Sequence, residues 1–198
     1  MNFKILFQKV KLSKLKQFLL YNMYENDFNG TVDNTEYDGL IKLSKEAAIL
    51  YPNLHIIEIG ALFGFSTQAI LEGSQNSKVI VVDNFAWNPI GLTSIRHELM
   101  LKSNLNYFIR KNRVSIYKGL SSDVELYELV KNNVSMVFID GDHSYNGVLC
   151  DINFAKSINS KIICGDDYSF AGVKKAVDEE FGNEVNFIGD MWFVKLNG

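Results

Sequence analysis

Four aspartates and a histidine gather in two short strings, Asp140-Gly141-Asp142-His143 and Gly165-Asp166-Asp167-Tyr168. Each follows a short apolar run, VSMVFID at 134–140 and KIIC at 161–164. Ends of adjacent parallel strands lie on the rim where open α/β sheets bind ligands, so four carboxylates are expected in one place. Unpaired, they repel one another and raise one another's pKa. A hard divalent cation relieves this, and magnesium takes an octahedron of carboxylate, water and substrate oxygens. The plainer alternative is a solvated acidic rim of turns and caps. His143 titrates near neutrality when unperturbed and is a candidate to take a proton. Asp142 is either the base in its place or its orienting partner. A surface or helix-capping histidine is the other reading.

A second constellation precedes these strings. Glu58-Ile59-Gly60-Ala61-Leu62-Phe63-Gly64-Phe65-Ser66-Thr67 sits where a strand pattern turns into a helix pattern. Gly60 permits a sharp turn and a close ligand approach, and Gly64 opens a helix whose first N–H groups lack partners. The dinucleotide fingerprint G-x-G-x-x-G fails, because Leu62 and Phe65 stand at its second and third glycines. Asp83 lies 19 residues past Gly64, at the end of the next apolar run. An acid there accepts hydrogen bonds from ribose hydroxyls. Turn and acid together point to an adenosine-containing ligand; singly, each is also an ordinary turn or cap.

The elements that must position these groups alternate. Apolar, β-branched runs occur at 55–60, 78–83, 114–117, 134–140 and 161–164, as expected of strands buried on both faces. Helical periodicity lies between them, for example at 66–71, 124–130 and 172–181. This pattern predicts a parallel sheet covered by helices on both sides. At the end, runs 185–188 and 192–196 are separated only by Gly189-Asp190-Met191, too short for a crossover, so an antiparallel hairpin is expected. The fold class is α/β, Rossmann-like, with seven mostly parallel strands.

The chain has 198 residues, 47% of them hydrophobic and 22% charged, which excludes wholesale disorder. Residues 1–24 carry five lysines and no acid, leaving −8 of the net −3 on the rest. An acidic body argues against a nucleic-acid partner. No apolar stretch is long enough to span a bilayer, and lysines interrupt the start as no secretory signal would allow. Cys150 and Cys164 are expected to be buried thiols in a reducing, cytoplasmic setting. Leu12, Leu15, Leu19 and Met23 fall at helical spacing, so residues 1–34 are expected to form a separate helical segment, a lid or a dimer contact.

The strings EIGALFGFST (58–67), VVDNF (81–85), GLSSD (119–123), FIDGDHSYNGV (138–148) and GDDYSFAGVKKAVDEEF (165–181) resemble, in order and spacing, class I S-adenosylmethionine-dependent O-methyltransferases. The likeness is greatest to the metal-dependent macrolide-sugar and aminocoumarin group, with catechol O-methyltransferase more distant. It covers residues ~36–198, so residues 35–198 would be the methyltransferase domain. The resemblance implies that Glu58, Gly60, Ala61, Gly64, Ser66 and Asp83 contact the cofactor. Ser121 and Ser122 would lie near its adenine, and Asp140 on the rim beside it. Asp140, Asp166 and Asp167 would bind magnesium, and His143 stands where catechol-type relatives place a proton-accepting lysine. The implied acceptor is a hydroxyl on a sugar or small natural product, and a homodimer is expected. Phe85, Trp87 and Tyr168 are candidates to wall the acceptor pocket, although aromatic core packing is commoner; His55 and His97 read as structural. Two alternatives stay open: a non-catalytic cofactor- or partner-binding module of this fold, and a nucleotide- or NAD-binding Rossmann protein.

Overall fold

The computed structural model describes residues 33–196. The segment around Leu12–Met23 lies outside the described residues. The first described element is helix α1 (Asn34–Leu50), opened by a reciprocal cap: Glu36 N–H donates to Asp33 Oδ1 at 2.9 Å and Asp33 N–H donates to Glu36 Oε2 at 2.6 Å. Strands β1 (His55–Ile59), β2 (Val79–Asp83), β3 (Val114–Lys118), β4 (Val134–Ile139) and β5 (Ile162–Gly165) pair in parallel. Strands β6 (Asn186–Ile188) and β7 (Met191–Lys195) form the expected hairpin, and β7 runs antiparallel beside β5. The order is β3-β2-β1-β4-β5-β7-β6. The chain therefore reverses direction across the sheet between β1 and β4, which opens a crevice at their carboxyl ends.

Alternation along each strand sends side chains to two cores. Ile56, Val79, Val81, Met136 and Phe138 face α1 and α2 (Phe65–Gly73). Ile57, Ile80, Val82, Val137 and Ile139 face α5 (Val124–Val130), α6 (Tyr145–Ser157) and α7 (Ala171–Phe181). Each fully buried side chain of this size contributes about 1.5–3 kcal/mol of transfer free energy.

The segment between β2 and β3 carries α3 (Ser94–Asn104) and α4 (Asn106–Arg110). Cys164 is buried as expected, but Cys150 is exposed, because it falls on the outer side of α6. No helix among the described residues is long and apolar enough to cross a membrane.

Candidate functional site

The end of β1 and the end of β4 touch at Gly60. Its φ is +81°, and a Cβ there would stand 2.1 Å from the carbonyl oxygen of Asp140. Only glycine lets the two strand ends approach this closely. Gly64, at φ +87°, begins α2, and its N–H donates to Ala61 O at 2.6 Å to close the turn. From the other side, Asp83 Oδ2 accepts from the N–H of Ala61 at 3.2 Å, while its Oδ1 accepts from Phe85 N–H at 2.7 Å. The glycine turn and the acid after β2 thus meet directly, with one carboxylate spanning them.

Glu58 lies behind this turn, fully buried. Ser66 and Thr67 donate their hydroxyls to its two oxygens, each at 2.5 Å. Burial pushes its carboxyl up to about 8; the two hydroxyls pull it back, and Asp140 and Asp83 add to the rise. Glu58 and Ser66 therefore bind each other and tie α2 to β1. Thr67 shares that role, and its place one residue after Ser66 in the helix's first turn was the only sequence signal for it.

Ser121, in the loop after β3, donates its hydroxyl to Asp151 Oδ1 on α6, and both are buried. Burial raises Asp151 to about 6, with Ser121 opposing and Asp142 adding. Ser122 is exposed. Nothing in the local sequence pairs Ser121 with Asp151, which lies 30 residues away.

The acidic strings converge after β4 and β5. His143 Nε2–H donates to Asp140 Oδ1 at 3.3 Å, and its Nδ1 stands 3.3 Å from Asp167 Oδ2 without hydrogen-bonding geometry. The ring packs edge-on against Phe170, centroids 5.2 Å apart. Its pKa is raised, first by the bond to Asp140 and then by the charges of Asp140, Asp167 and Asp142, against desolvation. Asp142 makes no bond to His143; it accepts from the N–H and hydroxyl of Ser144, each at 2.9 Å, at the start of α6.

Asp166 is buried, and burial, followed by Asp140 and Glu36, pushes its carboxyl up to about 9. Burial raises Asp140 to about 6, with His143 opposing. Asp167 is raised by burial against the pull of His143. Glu36 joins from α1: its Oε1 accepts from Asp190 N–H at 3.3 Å in the β6–β7 turn, and burial raises it too. The sequence analysis did not place Glu36 in the site.

This donor set fits a divalent cation. Asp140, His143 and Asp167 each offer an atom within 4.8 Å of the others. Asp166 Oδ1 and Asp167 Oδ2 are buried without a hydrogen-bond partner, a costly state that positive charge would relieve. Asp166 is not one of the three clustered residues, but the charges of Asp140 and Asp167 act on it. Phe85 is core, whereas Trp87 is 63% exposed and Tyr168 donates its hydroxyl to Asp178.

The sequence matches the family described as a methyltransferase domain over residues 57–168, from β1 through the loop after β5. The chain belongs to this family. Among solved structures it is similar to the O-methyltransferase from Bacillus cereus in complex with SAH, at 19% identity and TM-score 0.65, over 98% of this chain and 96% of that one. It is likewise similar to TomG from Streptomyces achromogenes, an O-methyltransferase of tomaymycin synthesis in complex with SAM, at 13% identity, TM-score 0.63 and 95% and 92% coverage. These likenesses establish the class I, Rossmann-like methyltransferase fold. An uncharacterized protein of Acanthamoeba polyphaga mimivirus is 27% identical over 121 residues, 59% of this chain and 52% of that protein. The chain thus spans about half the length of that relative.

Proposed function

We propose that the protein transfers the methyl group of S-adenosylmethionine to a hydroxyl of a small molecule, a sugar or small natural product, with magnesium bound by Asp140, Asp166 and Asp167 and His143 left to act on the proton. The carrying observation is that Asp140 belongs to both halves of the site. Its backbone carbonyl abuts Gly60 of the cofactor turn, and its side chain joins the acid cluster. A sulfonium methyl and an acceptor oxygen held on these two halves would be neighbours, as in-line attack requires. The cofactor assignment is supported by the SAH and SAM complexes of the similar structures.

Asp83 would accept from the ribose hydroxyls with the lone pairs that its bonds from Ala61 and Phe85 leave free. When bound, magnesium supplies the positive charge that eases loss of the acceptor's proton. Asp140 and Asp167 hold the pKa of His143 up, which favours the protonated ring, and a protonated ring is no base. Neutralising those carboxylates removes what raises its pKa and leaves an imidazole able to take the proton. Asp142, bound to Ser144, can reinforce that charge but does not orient the ring.

Calorimetric titration with S-adenosylhomocysteine and with NAD tests the cofactor. Binding of the first alone is expected, and binding of NAD alone overturns the reading. Labelled cofactor with vicinal-diol sugars and phenols tests transfer. Chelator should abolish transfer to a working acceptor and spare S-adenosylhomocysteine binding; an unchanged rate removes magnesium from the proposal. Cofactor binding with no transfer to any hydroxyl would leave a binding module.

A further inference from the structure

The cofactor turn is also gripped from outside, by α3. His97 and Asn104 are seven residues apart on this helix and so share one face. Both are 1% exposed. His97 Nε2–H donates to the carbonyl of Leu62 at 2.7 Å, and Asn104 Nδ2–H donates to the carbonyl of Phe63 at 3.0 Å. These are successive carbonyls within the turn from Gly60 to Gly64. The His97 ring also meets Phe63 and Phe85 edge-on, with centroids 5.3 and 5.2 Å away.

Two features show that this grip constrains the turn. Leu62 has φ +45° and Phe85 φ +58°, left-handed conformations that bulky side chains hold only when their surroundings impose them. His97 touches both residues. Each gripping side chain also keeps a second polar atom, His97 Nδ1 and Asn104 Oδ1, buried without a partner. An apolar residue at either place would avoid that cost, so each side chain's contribution lies in the bond that it makes. A peptide is planar and trans. Fixing the Leu62 carbonyl toward α3 therefore turns the N–H of Phe63 to the opposite side, away from the helix.

We propose that His97 and Asn104 are positioning residues for the cofactor: they set the shape of the turn at residues 60–64 and, through Phe85, its distance from Asp83. This rests on the methyltransferase reading above. S-adenosylhomocysteine affinity of the full chain, measured by calorimetry, is the test. His97→Leu should weaken binding about tenfold or more, while His97→Gln, whose amide can reach the same carbonyl, should stay within about threefold. The cofactor KM should rise in His97→Leu with kcat at saturation unchanged. Asn104→Ser provides a milder loss of the second bond should His97→Leu fail to fold. In ligand-free protein, amide exchange at Leu62 and Phe63 should quicken in these variants while β1 stays protected. Wild-type binding with unaltered affinity in His97→Leu and Asn104→Ser overturns the inference and leaves the methyltransferase reading standing. A wild type that binds no S-adenosylhomocysteine overturns both.

Discussion

Glu58 shows how a residue can be legible while its task is not. Its place in EIGALFGFST suggested a cofactor contact, yet its two oxygens are taken by Ser66 and Thr67. Its charge has a consequence for stability. The folded pKa of about 8 lies above the ordinary glutamate value, so between pH ~4.5 and 8 the folded state holds a proton that the unfolded state has lost. The contribution of Glu58 to stability is therefore expected to fall as pH rises through that window. Thermal melts of ligand-free Glu58→Gln should show a flatter profile than wild type and a higher midpoint at pH 8. About 1 kcal/mol moves the midpoint of a domain this size by about 2–4 °C. An equally steep profile in the variant would show that other groups dominate. Asp83 was expected to accept from ribose hydroxyls, and its oxygens also accept from the backbone N–H groups of Ala61 and Phe85. Asp83→Ala should weaken S-adenosylhomocysteine binding by about 1.5–3 kcal/mol, the scale of hydrogen bonds to a charged group. Asp83→Asn should lose less, because one amide oxygen still accepts; equal losses in calorimetry would argue that charge alone matters.

Among the elements, the strands were legible because each is a short β-branched run buried on both faces, and β1–β5 fall within a residue of where the sequence put them. The hairpin was legible from its short connection. The segment between β2 and β3 was not. Its helix α3 is held by contacts that cross 35 and 41 residues, and such contacts leave no local pattern. Likewise the acidic strings revealed that carboxylates would meet, but not that Glu36 of α1 would join them. The strand-to-strand contact at Gly60 gives a test at this scale. Gly60→Ala would place a Cβ against the Asp140 carbonyl and force β1 and β4 apart, whereas at Gly91, also at positive φ, a Cβ meets nothing within 4 Å. Chemical denaturation should show a loss of several kcal/mol, more than about 4, for Gly60→Ala and only about 1 kcal/mol for Gly91→Ala. Equal losses would mean that the φ angle, and not the close approach, makes Gly60 necessary.

For the whole molecule, the reversal of strand order sets both halves of the site on one rim, and the start of the described chain arrives at the same place. Asp33 caps α1 through Glu36, and Glu36 in turn raises Asp140 and Asp166. The described chain thus begins at Asp33, whose cap partner Glu36 acts on the acid cluster. The five lysines of residues 1–24 oppose in sign the −8 of residues 25–198. A segment tethered there should act on the acceptor and on association between copies more than on the cofactor. Removing residues 1–24 is therefore expected to leave S-adenosylhomocysteine affinity within about threefold while raising the acceptor KM by about tenfold or more. Sedimentation should show the full chain as a dimer and the shortened one as a monomer, because the apolar positions Leu12, Leu15, Leu19 and Met23 are then gone. A monomer in both would remove the dimer contact and leave the lid. A cofactor affinity that collapses with the truncation would place the segment over the adenosine side instead, against the position of Asp33.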